Sequence, residues 1–402
     1  MRLPLFASIV VLSLIVGLFP LGGQQYSHGQ SPPIGLPDGG SSPDEAALKH
    51  PESTPPKEVA YWVSQLGHEH FLRRQKASQE LKKMGPAILP ELAAAMDVGD
   101  LEVIERSIVV ISGFALSFAP AEDGGAWHML QAMASKSVGR RALAARSAME
   151  EVRELRSEQA ARVLTAAGVF IGERYFSIAA SQNMLNIVEI GNTWSGDVKT
   201  LQWLEWIDDA SHVRVTGKAL RGDVLSNVVK MPRLEAIAMT DAEAGVADEV
   251  FSSLAAMSRI ESLDIRYVAL TAQQGEIISQ LPIRTSLTLM GTGIEADAVE
   301  KIRTRLAGLE IQYRQGGFLG VSCYPGEQIC RINVVHENTA AFEAGLLFGD
   351  VVVGVGGSDI GSFKDLQSAV NRHSAGDEVE IRYLRAGKLL RVKVRLKRLE
   401  EN

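Results

Sequence analysis

Phe318-Leu319-Gly320-Val321-Ser322-Cys323-Tyr324 is the stretch that gives the C-terminal part of this 402-residue chain its form. Two apolar residues and a glycine lead into a strand-like run, which Pro325-Gly326 turns back. Ile329 to Val335 reads as the returning strand. Thr339-Ala340-Ala341-Phe342-Glu343-Ala344-Gly345-Leu346 then reads as a short helix leaving through Gly345. A strand opens at Gly349-Asp350-Val351 and runs to Gly356-Gly357, two glycines fit for a tight hairpin turn. A helix is expected at about Phe363–His373. Two strands, Glu378–Leu384 and Lys388–Leu396, close around Ala386-Gly387.

In this order, the loop, the Ala344-Gly345-Leu346 step with Gly349-Asp350-Val351, and the helix carrying Leu366, Ala369 and Val370 make residues 316–397 resemble a PDZ domain of the bacterial envelope-protease type. The resemblance implies a carboxylate-binding loop made of Phe318, Leu319, Gly320 and Val321. It implies that Ser322, Cys323 and Tyr324 take an extended peptide as an added edge strand. Leu366, Ala369 and Val370 would shape an apolar side-chain pocket, with Leu366 equally suited to the core. The groove helix begins Ser362-Phe363-Lys364, without the histidine that selects a hydroxylated residue in related domains, so an apolar terminal residue is expected. Cys323 and Cys330 are the only cysteines. They lie on two strands joined by a turn, and either bridge as a hairpin disulfide or stay as two buried thiols, depending on cross-strand register.

Upstream, mostly apolar triplets recur: Leu185/Val188/Ile190, Ala210/Val213/Val215, Leu234/Ile237/Met239, Ile260/Leu263/Ile265, Arg284/Leu287/Leu289 and Leu306/Leu309/Ile311. Residues two apart share one face of a strand. Helical stretches such as Ala244–Met257 and Thr271–Gln280 lie between them. Residues 183–313 therefore resemble a leucine-rich repeat array; an α/β domain with a parallel sheet is the competing reading. The Asn or Cys row that normally follows each strand is present only as Asn192. This region holds 12 Lys+Arg against 18 Asp+Glu. Trp194, Arg214, Arg266, Tyr267 and Tyr313 are candidates for a partner-facing surface, and Trp203 and Trp206 read as core.

From Val59 to about Gly168 the chain reads as helices. Val63, Leu66, Phe71, Ala77 and Leu81 form an apolar stripe, Met84-Gly85-Pro86 ends one helix and starts the next, and further helices are expected at Leu101–Phe114, Ala126–Ala134, Val138–Val152 and Ser157–Ala167. Leu66-Gly67, Arg74, Leu89-Pro90 and Gly99-Asp100 give residues 58–168 a resemblance to HEAT-like repeats, which implies a scaffold. His68-Glu69-His70 places its histidines two apart, on different helix faces, and is not a zinc motif.

Arg2 followed by the apolar run 3–21 reads as an export signal within residues 1–30, cleaved or kept as a membrane anchor. Residues 31–57, rich in Ser, Pro and Gly, read as a disordered linker. Both readings place the bulk of the chain outside the cytoplasmic membrane, in a periplasmic or extracellular setting. The expected fold is multidomain: an α-helical HEAT-like segment, an α/β leucine-rich repeat-like array and a β-rich PDZ domain. A formal charge of -7 argues against nucleic acid as partner. No Gly-x-Ser-x-Gly elbow, His-Glu-x-x-His helix or phosphate loop occurs. The expectation is a non-enzymatic scaffold, with no catalytic residue, metal or cofactor, that captures protein or peptide C termini. Its alternatives are an accessory or regulatory subunit of an envelope protease and a purely structural envelope protein.

Overall fold

The computed structural model describes residues 56–120, 122–136, 138–178, 181–242, 245–324 and 329–399. The export segment and nearly all of the linker lie outside them.

Among the described residues six α-helices come first: α1 (Pro56–Ser64), α2 (Phe71–Lys83), α3 (Leu89–Val98), α4 (Leu101–Ser117), α5 (Ala126–Lys136) and α6 (Arg140–Ala166). The Asp100 carboxylate caps α4 by accepting the Val103 N–H at 3.0 Å. Leu66, Ala77 and Leu81 of the predicted stripe are fully buried. Phe71 is exposed instead, and its ring carries the Arg74 and Arg106 guanidiniums at 5.8 and 5.5 Å. The two helices expected at 138–152 and 157–167 are one, because residues 153–156, Arg-Glu-Leu-Arg, are all good helix formers and contain no breaker. Unbroken, α6 serves two cores. Its Ala145 and Val152 pack among the helices, whereas Ala160 and Leu164 pack against the sheet that follows.

That sheet has seven strands in chain order: β1 (Phe170–Ile178), β2 (Ser181–Ile190), β3 (His212–Thr216), β4 (Ala236–Ala242), β5 (Ile260–Val268), β6 (Ile283–Met290) and β7 (Glu310–Arg314). From β2 onward every neighbour is parallel. One register row runs Val188, Val213, Ile237, Leu263, Leu287, Ile311, so the period read from the apolar triplets holds through β6. In the last unit the row passes through Ile311 rather than Leu309, which precedes the strand. Helices α7 (Gly222–Val228), α8 (Asp248–Leu254), α9 (Ala272–Ile278) and α10 (Ala296–Arg305) fill the returns, and the Val198–Trp206 segment is a 3-10 helix. Thr271 and Gln274 form a reciprocal capping box on α9.

The residue after a second register row (Thr216, Thr240, Arg266, Met290) takes positive φ in four successive units, at Gly217, Asp241, Tyr267 and Gly291. A left-handed residue at each strand end, rather than an Asn row, makes the turn here. Glycine and aspartate accept that conformation readily, and tyrosine pays for it. Trp194 and Tyr313 pack against the core. Antiparallel β1 was not anticipated; its Phe176 ring meets His212 at 5.0 Å, on the sheet face away from the main core.

Candidate functional site

The C-terminal domain has a sheet of β8 (Val321–Cys323), β9 (Cys330–Val335), β10 (Val351–Val355), β11 (Ser358–Asp359), β12 (Glu378–Arg385) and β13 (Lys388–Arg395), with α11 (Ala340–Glu343) and α12 (Phe363–Val370) beside it. Gly356 and Gly357 both have positive φ, as the tight β10–β11 turn demands. Asp350, almost fully buried, accepts from Arg385 Nε and Nη2, each at 2.8 Å, and from the Leu347 N–H at 2.9 Å, which fixes the approach to β10.

Strand order is β13-β12-β10-β9-β8, so β8 ends the sheet and its outer edge has no strand partner among the described residues. The loop ahead of β8 is tied down through its carbonyls: His336 N–H donates to Gly320 O at 3.0 Å and Ala341 N–H to Leu319 O at 2.8 Å. Among the described residues the N–H groups of Leu319 and Gly320 meet no backbone acceptor. Phe318 differs, for its N–H donates to Lys397 O at 2.8 Å and is already committed. Two donors beside an open strand edge suit an extended chain ending in a carboxylate.

A cavity of about 120 Å³ lies there. Phe318, Leu319, Gly320 and Val321 line one side, and Leu366 and Val370 of α12 the other. Leu366 is only 2% exposed, so it serves groove and core together. Ala369 does not line the cavity; it faces the core, displaced by the helical turn from Leu366 and Val370. Ser322 reaches away to the His336 ring, Oγ to Nε2 at 3.0 Å, Tyr324 sits against the exposed Phe348, and Cys323 is buried inward. Alternation along β8 explains this, since neighbouring side chains cannot share one face.

Sequence reasoning missed Phe363 and Gln367 on α12 and Asn371 at its C-cap; the helix starts where expected, at Phe363, and ends at Val370 rather than near His373. It also missed Tyr267, Met290 and Arg314, which reach the cavity from the parallel sheet. Tyr267 Oη donates to Gly316 O at 3.0 Å and accepts the Leu399 N–H at 2.7 Å, while Gln315 N–H donates to Asn371 O at 3.1 Å. The joint is tight: a side chain at Gly316 would lie 2.7 Å from Gly291 Cα. Ser362 caps α12 together with Asp365, whose carboxyl is held below its ordinary range by the Ser362 hydroxyl and then the Gly361 N–H.

No disulfide joins Cys323 and Cys330, whose sulfurs lie in contact at 2.9 Å. The disulfide alternative is thus not what the structure holds. Contact with Cys323, then burial, pushes the Cys330 thiol far above its usual range. Both thiols are therefore expected to resist iodoacetamide at pH 8 in the native protein and to react fully in denaturant. A native mass two hydrogens light, with no thiol titratable after unfolding, would contradict the unbridged pair.

Among the described residues no group of three His, Cys, Asp or Glu is placed to hold a metal, and His68 and His70 stack on each other.

The PDZ domain family matches residues 317–396, so this segment is a PDZ domain. The zinc metalloprotease RasP of Shouchella clausii (strain KSM-K16) is 36% identical over 83 residues, which cover 20% of this chain and 20% of that protein. This chain thus spans about a fifth of that relative's length. Among solved structures, the HtrA-type protease AlgW with tripeptide is 20% identical, with 29% of this chain and 44% of that chain covered and a TM-score of 0.22. The serine endoprotease from Yersinia pestis is 19% identical, with 26% and 36% covered and a TM-score of 0.21.

Proposed function

We propose that the chain is a non-enzymatic peptide-capture component working beside an envelope protease, holding the C-terminal end of a protein along β8 and α12. The observation that carries this reading is the open β8 edge beside two unengaged loop amides. The sequence likeness to a zinc metalloprotease, 36% over 83 residues, favours an accessory or regulatory role over a free-standing scaffold. In this reading α1–α6 form a HEAT-like scaffold, and β2–β7 a leucine-rich-repeat-like array that offers a second protein-binding surface. The protein is exported and works in the periplasm or outside the cell, with residues 3–21 as signal or anchor. Among the described residues no helix is long and apolar enough to cross a membrane.

The test is titration of peptides ending in an apolar residue, as free acid and as amide, against the full chain. A carboxylate hydrogen bond contributes about 1.5–3 kcal/mol, so the acid should bind at least about tenfold tighter. Equal binding would remove the carboxylate site. Arg314 lines the cavity and makes no side-chain hydrogen bond or ion pair among the described residues. Arg314→Gln is therefore expected to weaken the acid about fivefold, a loss near 1 kcal/mol, and to leave the amide unchanged. An unaltered acid-to-amide ratio would exclude Arg314 from carboxylate binding.

A further inference from the structure

We infer that Met290, a residue of the parallel sheet, sets the size of the terminal residue that the groove accepts, admitting a short aliphatic side chain such as valine and excluding an aromatic ring. This rests on the capture reading and adds to it a determinant that lies outside the PDZ segment 317–396.

Strand alternation puts the residue there. Val215, Met239, Ile265 and Leu289 pack into the main core. The register row one residue further on, Thr216, Thr240, Arg266, Met290 and Arg314, takes the opposite face. At the end of that row β6 and β7 set a thioether beside a guanidinium, and both residues line the groove cavity. A chain end presents the matching pair, an apolar side chain and a carboxylate, on one residue. Met290 is only 5% exposed, so its side chain is part of the wall rather than free in solvent.

Neither wall can give way cheaply. On the PDZ side Leu319, Leu366 and Val370 line the cavity and also belong to the domain core. On the sheet side Gly291, next to Met290, has φ +63° and donates its N–H to Arg314 O at 3.0 Å. A side chain there would lie 2.5 Å from Tyr267 Cδ1. Tyr267 is held in turn by Gly316 and Leu399. The cavity between the walls is about 120 Å³, below the roughly 150 Å³ that takes one benzene ring in an apolar core. The carboxylate occupies part of that space. What remains suits a branched aliphatic side chain, not a phenylalanine ring.

Fluorescence anisotropy on the full chain tests this, with labelled peptides that differ only in a terminal valine or phenylalanine, each as free acid and as amide. The valine acid should bind at least about tenfold tighter than the phenylalanine acid, the discrimination a tight apolar pocket shows against excess carbon. Met290→Ala should erase or reverse that ratio by making room for the ring. Met290→Leu, which conserves volume, should keep it. Should Met290→Ala lose its melting transition, Met290→Val, which suits a strand and withdraws the two outermost side-chain atoms, reads the same shift. Equal binding of the two acids to the native chain overturns the size limit. An unchanged ratio in a folded Met290→Ala or Met290→Val variant overturns the assignment to Met290. Acids that still outbind their amides in either case leave the capture reading standing, whereas acids and amides that bind alike sink that reading and this inference together.

Discussion

Gly320→Ala is expected to destabilise the PDZ domain by about 2–5 kcal/mol, enough to abolish its groove at moderate temperature. Gly320 has φ +85°, a conformation that costs an alanine about 1–2 kcal/mol. A Cβ there would also lie 2.2 Å from Thr339 Cβ and 2.4 Å from its Oγ1 and Cγ2. Thr339 cannot swing aside, because its hydroxyl donates to His336 O at 2.7 Å and its side chain caps α11. Such crowding costs about 1–3 kcal/mol more. Urea unfolding of the single variant, of Thr339→Gly and of the double variant forms the appropriate cycle. The double variant should recover the steric part and keep the backbone part. If Gly320→Ala stays within about 0.5 kcal/mol of the native chain, the loop geometry is wrong. A negative side chain at Gly320 would therefore unfold the site rather than block it, which is why Arg314 is the better probe of the groove.

The PDZ elements were legible because each has a local chemical cause. Ser362 caps, Gly356-Gly357 turns, and alternation along β12 and β13 marks a half-buried pair. The parallel units were legible because one strand–helix unit cannot bury its own apolar row, so Val188 and its successors must repeat. Failures came where distant residues decide. Leu306 and Leu309 imitate the strand triplet, yet Leu306 caps α10 and the strand begins only at Glu310. Phe71 fits the helical stripe by spacing, but two arginines claim its ring at the surface. Tyr267 is separated from Gly316 by 49 residues, and no local pattern announces that hydrogen bond. The groove's third wall depends on that joint.

Arg156 gives the second large effect, with opposite signs for two substitutions. It lies on α6, is fully buried, and its Nε, Nη1 and Nη2 have no hydrogen-bond partner among the described residues. Its guanidinium sits 5.2 Å from both the Trp203 and the Trp206 rings. Burial lowers its pKa, with Asp123 and Glu205 opposing that shift, yet a guanidinium remains charged at neutral pH. Attraction to the indoles offsets about 2 kcal/mol when desolvated, whereas removing an unpaired ion from water costs several. Arg156→Met keeps most of the volume and removes the charge, so it should leave stability unchanged or raise it by about 1–4 kcal/mol. Arg156→Ala opens a cavity between α6 and the Val198–Trp206 helix and should cost about 2–4 kcal/mol. Chemical denaturation of the two variants measures the difference directly. Equal losses would mean that the cation on the paired indoles outweighs its own desolvation, and the contact joining helices to sheet would then be electrostatic rather than a matter of filled space.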